Sequence, residues 1–300
     1  KMIMILNIYA QDCSNLKNHD VPLILIHGLT ASKQRLVGLQ NLIRTEYPNR
    51  TVTSIEILFG PISSIIGNPE RYIREAAFQI QKHSLSSKCV DLIGHSQGAF
   101  VARAYVSLYN DPVVRNFYSI AGALNGFDCP FSTEKCGNLS SLMSFARKTI
   151  FNKFMQSAVI PSMYWRDDSQ YSKFLEFAPL ISQLNVEIQS NKSQIIRTNM
   201  LKIRKLYTIY SKNDEILRPV ETANFGQIKN GIALKAEELN FYDDKFGLKT
   251  LKEKKIWRSC EFSQFGHKEF VVTRLGEFWE VFRRILVLED GEVDGLEQCQ

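Results

Sequence analysis

A serine stands at a corner of this chain where nucleophilic chemistry is feasible. The run Val90 to Ile93, apolar but for Asp91, meets Gly94-His95-Ser96-Gln97-Gly98, and the apolar spacing beyond it is that of a helix. In so tight a strand-to-helix turn the central residue takes a strained conformation that thrusts its side chain outward. Glycines two positions to either side keep strand and helix from colliding. Gly-x-Ser-x-Gly also arises by chance in loops, so the partners of Ser96 decide its meaning. A hydroxyl is a poor nucleophile until a base takes its proton, and the base needs a third group to fix its tautomer and stabilise its cation. At a corner of this kind the order along the chain is serine, acid, histidine. Of the five histidines only His267, in SQFGHKEF, follows Ser96, and it is read as the base. His95 is the immediate neighbour of Ser96, points elsewhere on the turn, and is read as packing. Asp214 in YSKNDEIL is favoured as the acid because an aromatic-rich strand breaks into a loop there. Asp243 and Asp244 in NFYDDKFG are its rivals, and all three also fit ordinary turn chemistry. A developing oxyanion needs two backbone N–H donors, one from the residue after the nucleophile and one from the loop after an early strand. These are Gln97 and Leu29.

Such residues work only if the fold gathers them. Val21 to Ile26 and Thr51 to Ile57 read as strands, and GLQNLIRTEY between them reads as a helix. NPERYIREAAFQIQK follows, with Pro69 near its first turn and Tyr72, Ile73, Ala76, Ala77 and Ile80 on one face. The serine strand and its helix come next, then strands at Asn116 to Ala121, Lys205 to Tyr210 and Ile256 to Phe262, and a helix over Leu275 to Leu286. This alternation predicts a mostly parallel central sheet with helices on both faces, whose ligands sit beyond the carboxyl ends of the strands. His27-Gly28, Ser96, Asp214 and His267 each follow a strand, so all should converge at one edge.

Between Ala121 and Arg204 the alternation stops, and the residues at about 122–204 read as a helical insertion over the site. Leu142, Ala146, Ile150 and Phe154 repeat at intervals of four, with Phe145 widening the face. Such a stripe is more often core than ligand site. Placed over a nucleophile it suits a greasy substrate, with Leu142, Phe145, Ile150 and Phe154 as acyl-binding candidates.

The chain of 300 residues, 44% hydrophobic, is long enough for a substantial core, and no linker divides it. One domain is expected over 21–290, with an N-terminal segment at 1–20 and a tail at 291–300. The net charge of +6 is scattered, and no nucleic-acid motif accompanies it. No apolar run reaches the roughly eighteen residues of a membrane span, which leaves transient contact with a membrane surface as the expected relation to lipid. The N-terminal KMIMILNIYAQDC fits the tail of a secretory signal peptide, interrupted by Asn7. Sequons begin at Asn49, Asn138 and Asn191. The six cysteines lack zinc spacing, and neither a metal nor a cofactor is expected. Cys129 and Cys136 flank a turn-rich loop that a disulfide would close in an oxidising compartment.

Taken together, HGL at His27 to Leu29, GHSQG at Gly94 to Gly98, MYWRDD at Met163 to Asp168, NDEIL followed by Pro219, and FGLKT at Phe246 to Thr250 resemble the palmitoyl-protein thioesterases. The resemblance covers nearly all the chain from Val21 onward. It implies an α/β-hydrolase fold, lysosomal or secreted residence, and hydrolysis of long-chain fatty acyl thioesters through an acyl-serine. The family's triad falls on Ser96, Asp214 and His267, its oxyanion donors on Leu29 and Gln97, and Cys129 with Cys136 looks like a family disulfide. Thr30-Ala31-Ser32 stands where some members carry an adjacent cysteine pair. Cys13, Cys89, Cys260 and Cys299 are left without assigned partners. FGLKT and the cysteine before the histidine loop look more like the second paralogue, palmitoyl-protein thioesterase 2, than the first. The substrate is then an S-acylated protein or peptide, or acyl-CoA. The alternatives are an oxygen-ester lipase and a catalytically silent lipid-binding protein on the same scaffold.

Overall fold

The structure, a computed structural model, describes residues 13, 16–127, 148–177, 179–217, 219–239 and 242–287. Its strands are β1 (Leu23–Ile26), β2 (Val52–Ile55), β3 (Cys89–His95), β4 (Val113–Ile120), β5 (Lys205–Ser211), β6 (Gln227–Lys229), β7 (Ile232–Leu234) and β8 (Trp257–Phe262). Six of them form one sheet in the order β2-β1-β3-β4-β5-β8, every neighbouring pair parallel. All of β1, β3 and β4 is buried, so none of them alternates apolar with polar: β1 is a continuous apolar run, whereas β3 and β4 carry Asp91, Arg115 and Asn116 inside, bonded to one another.

The strand period of two sorts the core into two layers. Leu23 and Leu25 of β1 face α1 (Val37–Glu46) and the C-terminal helix at Leu275–Val287, packing with Leu39, Phe278 and Phe282. Ile24 and Ile26 face the other way, toward α2 (Pro69–His83) and α3 (Gln97–Leu108), with Tyr72, Ile73 and Phe100. Helix α2 starts where the sequence places it. The Asn68 side chain accepts from the Arg71 N–H, Pro69 occupies the first turn, and the five predicted apolar residues are buried.

Between β4 and β5 lie short helices, α4 (Lys153–Ala158), α5 (Tyr171–Phe177), α6 (Leu180–Leu184) and α7 (Ser193–Met200). They correct the four-residue stripe. Asn152 caps α4 by accepting from the Met155 N–H, so Ile150 precedes the helix that carries Phe154. Ile150 is 1% exposed in the core and Phe154 is 73% exposed on the surface, so the two do not share a groove. Leu142 and Phe145 lie outside the described residues, as do Asn138, Cys129 and Cys136. Asn49 and Asn191 are exposed. Two cysteines left unassigned from sequence are partners: Cys13 and Cys89 form a disulfide that ties the N-terminal segment to the start of β3. Cys260 is disulfide-bonded as well.

Beside that disulfide, Asp91 is fully buried between Arg50 and Arg115, both also buried. Arg115 reaches Asp91 Oδ1 through Nε at 3.1 Å and Oδ2 through Nη2 at 2.6 Å, and the Asn116 N–H donates to Oδ1 at 2.9 Å. Burial pushes the Asp91 carboxyl up, but Arg50 and Arg115 outweigh it and hold it below its ordinary value. Replacing Asp91 by Asn should cost about 3–5 kcal/mol at neutral pH, because two buried cations lose their counter-charge. Since the folded carboxyl titrates below the unfolded value of about 3.9, its stabilisation is present above that value and lost as pH falls toward the folded one. Urea unfolding should therefore show a gap between wild type and variant that narrows below about pH 4. Equal stability at neutral pH would contradict the assignment.

Candidate active site

Ser96 joins β3 to α3 with φ 57° and ψ −125°, a conformation side chains rarely adopt. Three glycines make room for it. A Cβ at Gly94 would lie 2.4 Å from the Ala99 Cα, one at Gly98 would lie 2.1 Å from the Ile26 carbonyl oxygen, and one at Gly28 would press on the Ser96 Cβ at 2.8 Å. The Ser96 N–H donates to the Ile120 carbonyl at 3.0 Å, so the corner is pinned to the neighbouring strand.

Because the sheet is parallel, the loops after β3, β5 and β8 meet at its carboxyl edge. Ser96 Oγ lies 2.8 Å from His267 Nε2, and His267 Nδ1 lies 2.7 Å from Asp214 Oδ2. With Nδ1–H donating to the carboxylate, Nε2 is left as acceptor for the seryl hydroxyl. The other carboxylate oxygen, Asp214 Oδ1, accepts from the N–H groups of Ile216 at 2.8 Å and Leu217 at 2.9 Å, which fixes the plane of the group. Asp244, one of the rival acids, bonds Arg197 and Thr250 instead, and Asp243 is exposed.

The histidine loop is held from several sides. Phe265 and Phe270 bracket His267 in sequence and stack at 4.9 Å, and both pack edge-on against Phe262 of β8 and Phe278 of the C-terminal helix. The His267 N–H donates to Glu215 Oε2 at 2.9 Å, so the residue after Asp214 grips the His267 backbone. His95 is more than packing. Its Nε2–H donates to the His267 carbonyl at 3.1 Å, and burial, reinforced by His267, pushes its pKa down to about 3. It is therefore a neutral donor at ordinary pH. Neither Glu215 nor His95 carried a sequence signal for these contacts, which join segments far apart in the chain.

On the opposite side of Ser96, Gln97 opens α3, where a helix leaves its first N–H groups without an intrahelical acceptor. Its side chain is fixed, Oε1 accepting from Tyr164 OH at 2.8 Å and Nε2 donating to the Ser64 carbonyl at 3.2 Å. The Thr30 N–H, next to Leu29, donates to Ser64 Oγ at 2.8 Å. Ser64, which sequence reasoning missed, thus couples the two backbone stretches carrying Leu29 and Gln97. His27 is buried behind them, Nδ1–H donating to the Gly28 carbonyl at 3.0 Å and Nε2 lying 2.8 Å from Glu56 Oε1. No cluster of metal-ligating side chains occurs among the described residues.

Known proteins share this arrangement of elements. The chain is similar over 93% of its length to a lipase of Bacillus licheniformis, BlEst2 in propeptide form, with 53% of that chain covered, 13% identity and a TM-score of 0.52. It is similar to lipase B of Aspergillus fumigatus at 15% identity, with 93% and 56% covered and a TM-score of 0.51. These likenesses support the α/β-hydrolase fold. In sequence it is 29% identical to palmitoyl-protein thioesterase 3 of Dictyostelium discoideum over 77% of this chain and 80% of that one. It is 26% identical to the human lysosomal thioesterase PPT2 over 82% of each. The family model described as palmitoyl protein thioesterase matches residues 22–267. An α/β-hydrolase sheet and a match spanning most of the chain lead to one conclusion: the protein belongs to the palmitoyl protein thioesterase family.

Proposed function

We propose that the protein hydrolyses long-chain acyl thioesters through an acyl-enzyme on Ser96. The unbroken hydrogen-bond chain from Ser96 through His267 to Asp214 is the observation that carries this reading. His267 Nε2 takes the seryl proton as Oγ attacks the thioester carbonyl, and Asp214 stabilises the imidazolium. The oxyanion draws on the N–H groups of Gln97 and Leu29. When the tetrahedral intermediate collapses, the C–S bond breaks, the sulfur leaves as a thiolate, and it then takes the proton from the His267 imidazolium to depart as a thiol, which restores the neutral base. Water then gives a proton to His267 and attacks the acyl-serine, the C–Oγ bond breaks, the proton returns to Oγ, and a fatty acid is released. Relatives named lysosomal thioesterases support a lysosomal location, and the Cys13–Cys89 bridge suits a chain folded in an oxidising compartment.

A fluorophosphonate should label Ser96, which separates this reading from a silent lipid-binding protein, since only an activated serine reacts. Among substrates, a palmitoyl thioester should outrun the matched oxygen ester, because a thiolate leaves without first being protonated. S-acyl peptide and acyl-CoA are to be compared directly. Lengthening the acyl chain should raise kcat/KM, with a ceiling of about 0.8 kcal/mol per methylene buried. An enzyme that prefers the oxygen ester at every chain length is a lipase, and the proposal fails.

A further inference from the structure

Between Glu56 and Glu70 the chain has no charged side chain, and it displays large apolar groups outward. Phe59 is 83% exposed, Ile62 71% and Ile66 65%, and Phe154 of α4 is 73% exposed. Helix α4 joins this surface because its end pairs with the segment: the Gly67 N–H donates to the Ala158 carbonyl and the Ile160 N–H to the Ile65 carbonyl, each at 2.9 Å. Exposed apolar groups gathered in this way are a usual mark of an interaction surface. The surface also adjoins the candidate site, because Ser64 within it holds both Thr30 and the Gln97 side chain.

We infer that this face enters the apolar region of a lipid surface and thereby brings Ser96 to acyl chains that remain in the lipid. The side chains favour lipid over a protein partner. They are Phe and Ile, without the Tyr, Trp and Arg that anchor protein interfaces, and Phe and Ile transfer favourably into a bilayer. Much of the backbone is suited too, since a polar group unsatisfied in hydrocarbon is costly and most N–H groups of the stretch have acceptors. The Phe59 N–H donates to Ser63 Oγ, those of Gly60, Ser64, Ile65 and Ile66 donate to carbonyls within the segment, and Pro61 has no N–H. The segment is also anchored, at its start by the buried Ile57 and in its second half by Ser64 to the residues around Ser96 and by Ile65 and Gly67 to the end of α4, so the side chains are presented on a fixed support. The 57–69 stretch lacks charge and Lys153 is the single charged residue of α4, so the face should not need an anionic lipid. The use assigned to the contact rests on the proposed thioester hydrolysis, whereas the contact itself does not.

The test is cosedimentation of the whole protein with neutral phosphatidylcholine vesicles, repeated at about 1 M salt, where charges are screened beyond roughly 3 Å. Binding should persist in salt. Phe59→Asp with Ile62→Asp should reduce partitioning at least about tenfold, and Phe154→Asp alone should reduce it measurably. The double variant should hydrolyse a water-soluble short-chain thioester as wild type does, which shows that it folds, and should lose about tenfold on a vesicle-borne long-chain S-acyl peptide. Binding only to anionic vesicles with release by salt would overturn the inference, because a scattered basic surface would explain it. So would wild-type protein that stays in the supernatant, or self-association abolished by the same substitutions. Vesicle binding without any thioester hydrolysis would instead defeat the proposed function and leave this contact standing.

Discussion

Ser96→Ala should lower kcat by about 10⁶ while the protein remains folded, and His267→Ala should do nearly the same. Alanine at position 96 keeps the backbone at φ 57° and removes only a hydroxyl whose one side-chain bond runs to His267. No core contact is lost, so the thermal midpoint should hardly move. The two losses should not add. Without the serine the imidazole has no proton to take, and without the imidazole the serine remains a neutral alcohol, so the double variant should turn over about as slowly as either single one. Residual turnover some 10³–10⁴ above water would come from the proposed oxyanion donors and binding alone. Single-turnover kinetics with a chromogenic thioester, together with mass spectrometry of trapped acyl-enzyme, checks both statements. Acyl-enzyme recovered from the Ser96→Ala protein would move the nucleophile elsewhere.

The parts of the fold written in local sequence are those where a backbone requirement selects the residue. Gly94 and Gly98 are glycines because any Cβ there would strike Ala99 or the Ile26 carbonyl, so the corner is visible without its surroundings. The doubly covered strand β1 shows as an unbroken apolar run because both of its faces are buried. The β6–β7 hairpin has a local sign as well: Asn230 and Gly231 both have positive φ, the demand of a tight two-residue turn, and Asn-Gly is its commonest signal. Other features had no local sign. The Cys13–Cys89 bridge spans 76 residues, and nothing near either cysteine names the other. The stripe from Leu142 to Phe154 assumed one helix through Asn152, whereas the Asn152 side chain satisfies the Met155 N–H and starts a new helix there. A period of four thus outlived the element that would have given it meaning.

Asp214→Asn should lower kcat by about 10⁴, and the neighbouring hydrogen bonds explain why the isosteric change should be so costly. The Ile216 and Leu217 N–H groups both donate to Oδ1, so an asparagine must keep its carbonyl oxygen there. Rotating the amide would aim its NH₂ at two donors. The amide nitrogen is therefore turned toward His267 Nδ1, where the wild-type carboxylate oxygen lies at 2.7 Å. Two donors cannot share that contact, so Nδ1 must become the acceptor and the ring proton must move to Nε2, facing Ser96 Oγ. An imidazole protonated there cannot take the seryl proton, although every heavy atom keeps its place. Asp244→Asn is the control: its carboxylate serves Arg197 and Thr250, so that variant should lose some stability and keep its turnover. Fluorophosphonate labelling rates report on the tautomer directly, because the reagent needs the same proton transfer and no acyl site. Labelling should slow in parallel with kcat in Asp214→Asn and remain at the wild-type rate in Asp244→Asn. The reverse pattern would place the acid in the loop before α8 (Leu248–Glu253) rather than after β5.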